Sequence, residues 1–155
     1  MMHRGLDIRP GRIGDLDTLA RFAVAMAQEV EGKHLDPAVV RAGTEAMLRS
    51  KGKGFFRVAE AGDQIVGSLM VTYEWSDWNN KNQWWIQSVY VAPSWRRKGV
   101  YRALYEDLVK EAKDRSDVSN IYLYAHKDNV TAQKTYAALG MSLSKYLMYE
   151  LVLRE

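Results

Sequence analysis

The chain has 155 residues, a size that one core fills comfortably, with 47% hydrophobic and 26% charged residues, as in an ordinary folded protein. Its 22 basic and 19 acidic residues leave a net charge of only +3, too small to imply a nucleic-acid partner, and it has no cysteine for a disulfide, a thiol nucleophile or a thiolate metal site. No apolar run approaches the roughly 20 residues of a membrane span, so no membrane partner is expected and a cytoplasmic, single-domain protein over 1–155 is.

Leu6–Pro10 alternates apolar and polar residues and is closed by proline, the pattern of a short edge strand. Asp15 can cap the helix that follows, in which Leu16, Leu19, Ala20, Ala23, Val24 and Ala27 recur at helical spacing to about Val30. Asp36-Pro37 is an N-cap followed by a first-turn proline, and it predicts a second helix to about Lys51. Phe55–Ala61 and Gln64–Trp75 read as antiparallel strands joined by the Gly62-Asp63 turn. The polar turn at 79–82 leads to a third strand, Trp84–Val91, whose two faces both look buried.

After that strand comes a Pro-containing loop, then Arg96-Arg97-Lys98-Gly99, then an amphipathic helix to about Asp114. A helix that begins on such a turn offers backbone N–H groups and a favourable dipole to an anion, and the expected guest is a phosphate. The same residues also suit a solvated basic turn. Ile121–His126 reads as a strand parallel to Trp84–Val91, joined to it by a right-handed crossover. A helix from about Thr131 to Leu139, stopped by Gly140, and a terminal strand within Leu143–Leu153 complete the reading. The fold class is α/β, with a mixed, mostly antiparallel central sheet flanked by about four helices.

Two motifs sharpen this. Val91-Ala92-Pro93 followed by Arg96-Arg97-Lys98-Gly99-Val100-Tyr101 resembles the Gln/Arg-x-x-Gly-x-Gly/Ala phosphate turn of the GNAT superfamily of acetyl-coenzyme A dependent N-acetyltransferases, with Tyr101 at the usual Gly/Ala position. Asn129-x-x-Ala132-x-x-x-Tyr136-x-x-x-Gly140-Met141 resembles the second signature of that family, with Met for its usual Phe. The likeness covers almost the whole chain and implies a GNAT-like fold and an acyltransferase. Acetyl-coenzyme A would be the co-substrate, attacked directly by a primary amine in a ternary complex. The resemblance also implies that the pantetheine arm lies beside Val89, Tyr90 and Val91. The phosphates would be held by the backbone and charge of Arg96, Arg97, Lys98, Gly99, Val100, Tyr101 and Arg102, with Asn129 as a cap and coenzyme contact.

Tyr136 matches the family tyrosine that approaches the thioester sulfur, and a phenol can reprotonate a departing thiolate; equally, its spacing fits the core face of its helix. Many relatives carry a glutamate on the strand that here offers Gln87 and Ser88, neither of them a base. Glu74 acting through a water is the base candidate, with Glu29 and Glu31 as others, and each also reads as a solvated carboxylate. All five tryptophans fall at positions 75, 78, 84, 85 and 95. With Tyr73 and Glu74 beside Trp75 and Trp85, and Glu29 near the helix break, they suggest a wall for a small cationic amine; strand packing is the plainer alternative. His3, His34 and His126 have no ligand spacing, so no metal is expected. A non-catalytic acyl-coenzyme A sensor or scaffold and, less consistent with the charge, a nucleic-acid binder are the competing classes. A homodimer is compatible with a terminal edge strand and exposed aromatics.

Overall fold

The computed structural model describes residues 5–154, so His3 lies outside the described residues. Its contacts group the chain into two compact units, Met1–Tyr124 and Ala125–Glu155, where the sequence alone reads as a single domain.

The first unit holds a five-stranded sheet in sequential order, β1 (Asp7–Pro10), β2 (Gly54–Ala61), β3 (Gln64–Ser76), β4 (Lys81–Val91) and β5 (Val118–Leu123). The first four strands run antiparallel and β5 lies parallel to β4, as a strand reached through a helical crossover must. Helices α1 (Leu16–Glu31) and α2 (Pro37–Arg49) separate β1 from β2, and α3 (Val100–Asp114) forms the crossover. The expected α/β class, with its mostly antiparallel sheet and four helices, is what the structure shows.

Side-chain alternation along β2 assigns the helices to faces. Phe56 and Val58 point to one side and pack with Leu19 of α1 and Met47 of α2. Arg57 points to the other, where it meets Asp107 and Glu111 of α3. Val58, Leu69, Val71, Leu104 and Leu108 are fully buried, so the sheet carries core on both faces. Gly67 lets α3 approach β3 closely: a Cβ there would stand 2.7 Å from Val100 Cγ1. Helix α1 ends on Gly32 at φ 64°, whose N–H bonds back to Gln28, and α2 starts with the Asp36 carboxylate accepting from the Ala38 N–H at 2.9 Å.

Asp15 does not cap α1 with its side chain. Its carboxylate accepts from the Arg12 N–H at 2.9 Å and from Arg9, inside a short 3-10 turn, because the buried Asp15 carboxylate is held by the partly buried Arg9 guanidinium. Both faces of Trp84–Val91 were expected to be buried; Trp84, Ile86 and Tyr90 are, but Trp85 and Gln87 are only half-buried, because α1 and α2 cover the β2 side of that face.

In the second unit α4 (Val130–Ala138) is capped by the Asn129 side chain, which accepts from the Ala132 N–H at 3.1 Å. Gly140 follows at φ 93° and ends it. The terminal strand expected within Leu143–Leu153 is absent: these residues form no strand among the described residues and are exposed.

Candidate active site in the sheet unit

The site begins with an irregularity in β4. Ser68 pairs with Tyr90 and Met70 with Gln87, so Leu69 faces two residues, Ser88 and Val89, and Ser88 sits at φ 50°. This β-bulge turns the strand. On its other side β4 pairs with β5 only over Asn82–Ile86. From Gln87 to Val91 that edge has no strand neighbour among the described residues, so backbone groups there remain open to an extended ligand.

The open edge runs directly into the basic turn. Arg97 at φ 61° and Gly99 at φ 79° bracket Lys98, a backbone shape that gathers successive N–H groups into a concave, anion-accepting surface. Gly99 is also the N-cap of α3, with no side chain to cap its first turn, so the helix dipole faces the same point. The Tyr101 ring lies 6.2 Å from that of Tyr105, one turn further along α3.

The cations expected to pair with phosphate are mostly engaged. Arg96 Nη2 binds Glu29 at 2.6 Å and its Nε donates to the Val91 carbonyl at 3.0 Å. Lys98 lies over the Trp95 ring at 5.4 Å, and Arg102 pairs with Glu106 at 2.8 Å. Of the four, Arg97 has no such partner among the described residues. The turn is therefore built first as a backbone cradle and second as a charge cluster. Glu29 also accepts from the Tyr90 hydroxyl at 3.0 Å, and Tyr90 packs on Phe22 at 4.8 Å. The Arg96 hydrogen bond, ahead of that from Tyr90, holds the Glu29 carboxyl below its ordinary value. Such a carboxylate is a weaker base, and Glu29 reads here as a strut between α1 and the turn. Neighbouring Glu31 pairs with Lys33 at 3.1 Å.

Register divides the aromatic residues. Glu74, Thr72 and Met70 of β3 share the α1/α2 face with Trp85 and Gln87 of β4, whereas Tyr73 and Trp75 have the opposite parity. Tyr73 accordingly contacts Phe55 at 6.1 Å, and burial raises its phenol pKa. Glu74 and Trp85 are brought together, Trp85 Nε1 donating to the Glu74 carboxylate at 3.2 Å. Two residues unnoticed in the sequence join them: Tyr122 and Tyr124 stack on Trp85 with centroids 4.9 and 4.5 Å away. Their two-residue spacing on a strand that neighbours Trp85 was the available signal. Gln87 is committed to Thr72 Oγ1 at 2.5 Å. Beside the bulge a cavity of about 250 Å³ is lined by Leu19, Thr44, Met47, Phe56, Met70 and Ser88, among others.

In the second unit Tyr136 lies on α4, and burial raises its phenol pKa. Asn129 is occupied as the helix cap. Among the described residues no group of three or more His, Cys, Asp or Glu could hold a metal ion, and no helix is long and apolar enough to cross a membrane.

The acetyltransferase (GNAT) family model matches residues 19–141. A possible acetyltransferase from Clostridium difficile 630 has a solved structure that is 40% identical, with 97% of this chain and 99% of that chain covered at a TM-score of 0.92. A probable acetyltransferase is 25% identical, with 96% and 99% covered and a TM-score of 0.85. The ribosomal-protein-alanine N-acetyltransferase from Brucella melitensis biovar Abortus 2308 is 19% identical, with 96% and 99% covered at a TM-score of 0.77, a likeness of fold alone. No curated protein sequence matches. The bulged, half-unpaired β4 that leads into an anion-accepting helix start is thus matched by a family model across most of the chain, and the protein belongs to the GNAT acetyltransferase family.

Proposed function

We propose that this acyltransferase moves the acetyl group of acetyl-coenzyme A to a small cationic primary amine, by direct attack within a ternary complex. The observation that carries the coenzyme half is the unpaired β4 edge from Gln87 to Val91 running into the Arg97–Gly99 turn. Amide groups of the pantetheine arm suit that edge and a pyrophosphate suits the turn, which is the order in which the molecule presents them. Acetyl-coenzyme A supplies the activated acetyl thioester when bound. Val89, Tyr90 and Val91 would hold its arm by backbone hydrogen bonds, and Arg97 to Arg102 would hold its phosphates.

Glu74 with Trp85, Tyr122 and Tyr124 supports a cationic acceptor, since a carboxylate beside stacked aromatic faces attracts an ammonium group both by charge and by the ring quadrupoles. Glu74 then takes a proton from the amine through a water, leaving the nitrogen lone pair free to attack. Tyr136 gives its proton to the departing sulfur; its raised pKa keeps it protonated, the form an acid needs. The chain has no cysteine to form a cysteinyl acyl-enzyme, which supports direct transfer with both substrates bound.

The test has two stages. Coenzyme A should raise the melting temperature of the protein at saturation. A panel of small primary amines should then show transfer with cationic members and weak or no transfer with neutral ones; equal use of neutral amines would remove the cationic preference.

A further inference from the structure

We propose that the cavity beside the β4 bulge receives the acyl group of the coenzyme, and that it is built for an acyl chain longer than acetyl, in the range of butyryl to hexanoyl. The inference rests on the coenzyme reading of the β4 edge. Every residue of the cavity lining belongs to the sheet unit. Leu19 and Ala23 of α1, Val40 and Met47 of α2, and Phe56 and Met70 of the sheet make its walls apolar. Ser88, at the bulge, lines it too, and stands at the end of the open edge away from the Arg97–Gly99 turn. A pantetheine arm laid along that edge from the turn therefore brings its thioester to the cavity. At about 250 Å³ the space far exceeds a methyl group, which is close in size to the roughly 30 Å³ share of one water, so an acetyl group would leave most of the apolar lining without a partner.

Two side chains support a ligand there. Gly43 lies within α2 and lines the cavity. Glycine is the poorest helix former after proline, and a Cβ at Gly43 would meet nothing within 4 Å, so no close packing explains it. Its missing side chain keeps the cavity open. Ser68 is 2% exposed, makes no side-chain hydrogen bond among the described residues and lines the same space. A buried hydroxyl without a partner is costly, and an acyl carbonyl entering past Ser88 supplies the acceptor it lacks. The amine is the less suitable occupant: the lining has no carboxylate and its one charged residue is Lys53, whereas Glu74 offers an ammonium its counter-charge beside Trp85. Chain length leaves the transfer itself unchanged. The amine nitrogen bonds to the acyl carbon, the C–S bond breaks, and coenzyme A leaves as the thiol, the proton it gains balanced by the one the amine loses.

The experiment is calorimetric titration of the full chain with free coenzyme A and with its acetyl, butyryl and hexanoyl thioesters in the absence of amine, and in parallel with n-alkylamines of the same lengths. We expect affinity to rise with acyl length by roughly two- to fourfold per methylene, so that the hexanoyl thioester binds roughly tenfold or more tightly than the acetyl one. In Gly43→Leu, whose new side chain fills the open space, that gain should vanish, with circular dichroism confirming that the variant is folded. Equal binding of the acetyl and hexanoyl thioesters by the wild-type chain would overturn the proposal and leave the coenzyme reading intact, whereas no binding of any coenzyme species would remove that reading and the proposal together. A gain that survives in Gly43→Leu would put the chain outside this cavity and also overturn it. So would a gain with amine length in place of acyl length, which would give the cavity to the acceptor.

Discussion

Arg96 and Glu29 meet at 2.6 Å and join the last turn of the first helix to the turn that opens the third. The pair is nearly half exposed on each side, so its contribution to stability is about 1 kcal/mol or less. Its effect is on position. Arg96→Ala should leave the melting temperature within a few degrees of wild type while the KM for acetyl-coenzyme A rises several-fold, because the Val91 carbonyl and the turn lose a shared anchor. Steady-state kinetics with a saturating amine check this. Glu29→Gln should leave the shape of the pH–rate profile unchanged, since an ion-paired carboxylate held below its ordinary value is not the base.

Tyr136→Phe removes one oxygen. If that oxygen protonates the sulfur, kcat falls by roughly 10²–10⁴ with the KM for acetyl-coenzyme A nearly constant. Burial raises the pKa of this phenol, so the acid stays protonated as the pH rises and the alkaline limb of kcat belongs above the ordinary phenol value of about 10. An alkaline limb close to neutrality would assign the acid to another group.

Trp85→Ala strips the face on which Tyr122 and Tyr124 stack and leaves Glu74 without its indole donor. A cation–π contribution of about 0.5–2 kcal/mol predicts an acceptor KM higher by roughly 2- to 30-fold. Coenzyme binding, followed by calorimetry, should hardly change, because the turn at Arg97–Gly99 lies elsewhere on the sheet.

Arg9 binds Asp15 at 2.8 Å and Glu60 at 2.7 Å, stapling the first strand to the second and to the 3-10 turn. Burial opposes the charge on Asp15, but the hydrogen bonds from Arg9 and from the Arg12 amide prevail and hold its pKa below the ordinary value. A depressed carboxylate contributes stability that is present above the unfolded pKa of about 3.9 and is lost as the pH falls through the folded one. Urea unfolding should therefore show declining stability below about pH 4. Arg9→Met should cost about 3 kcal/mol at neutral pH and shrink that acid slope.

The sheet order, the crossover and the basic turn were legible because each depends on local chemistry: proline and glycine punctuation, helical periodicity and an uncapped helix start. What stayed hidden depends on pairing partners far along the chain. No local pattern announces that Ser88 is bulged, yet one extra residue in β4 decides where the open edge begins. The cluster around Trp85 was half legible for the same reason, since parity separates Tyr73 and Trp75 from Glu74 and Trp85, and only the β4–β5 register brings Tyr122 alongside. The terminal strand expected within Leu143–Leu153 is not among the strands of the structure.

The most direct measurement is thiol release from acetyl-coenzyme A in the presence of small cationic amines, which this cysteine-free chain allows without background from its own side chains. The account predicts amine-dependent release of coenzyme A, equimolar with N-acetylated product and abolished when either substrate is withheld. Tight coenzyme binding with no amine-dependent release across the panel would contradict it and would leave an acyl-coenzyme A sensor as the reading of this fold.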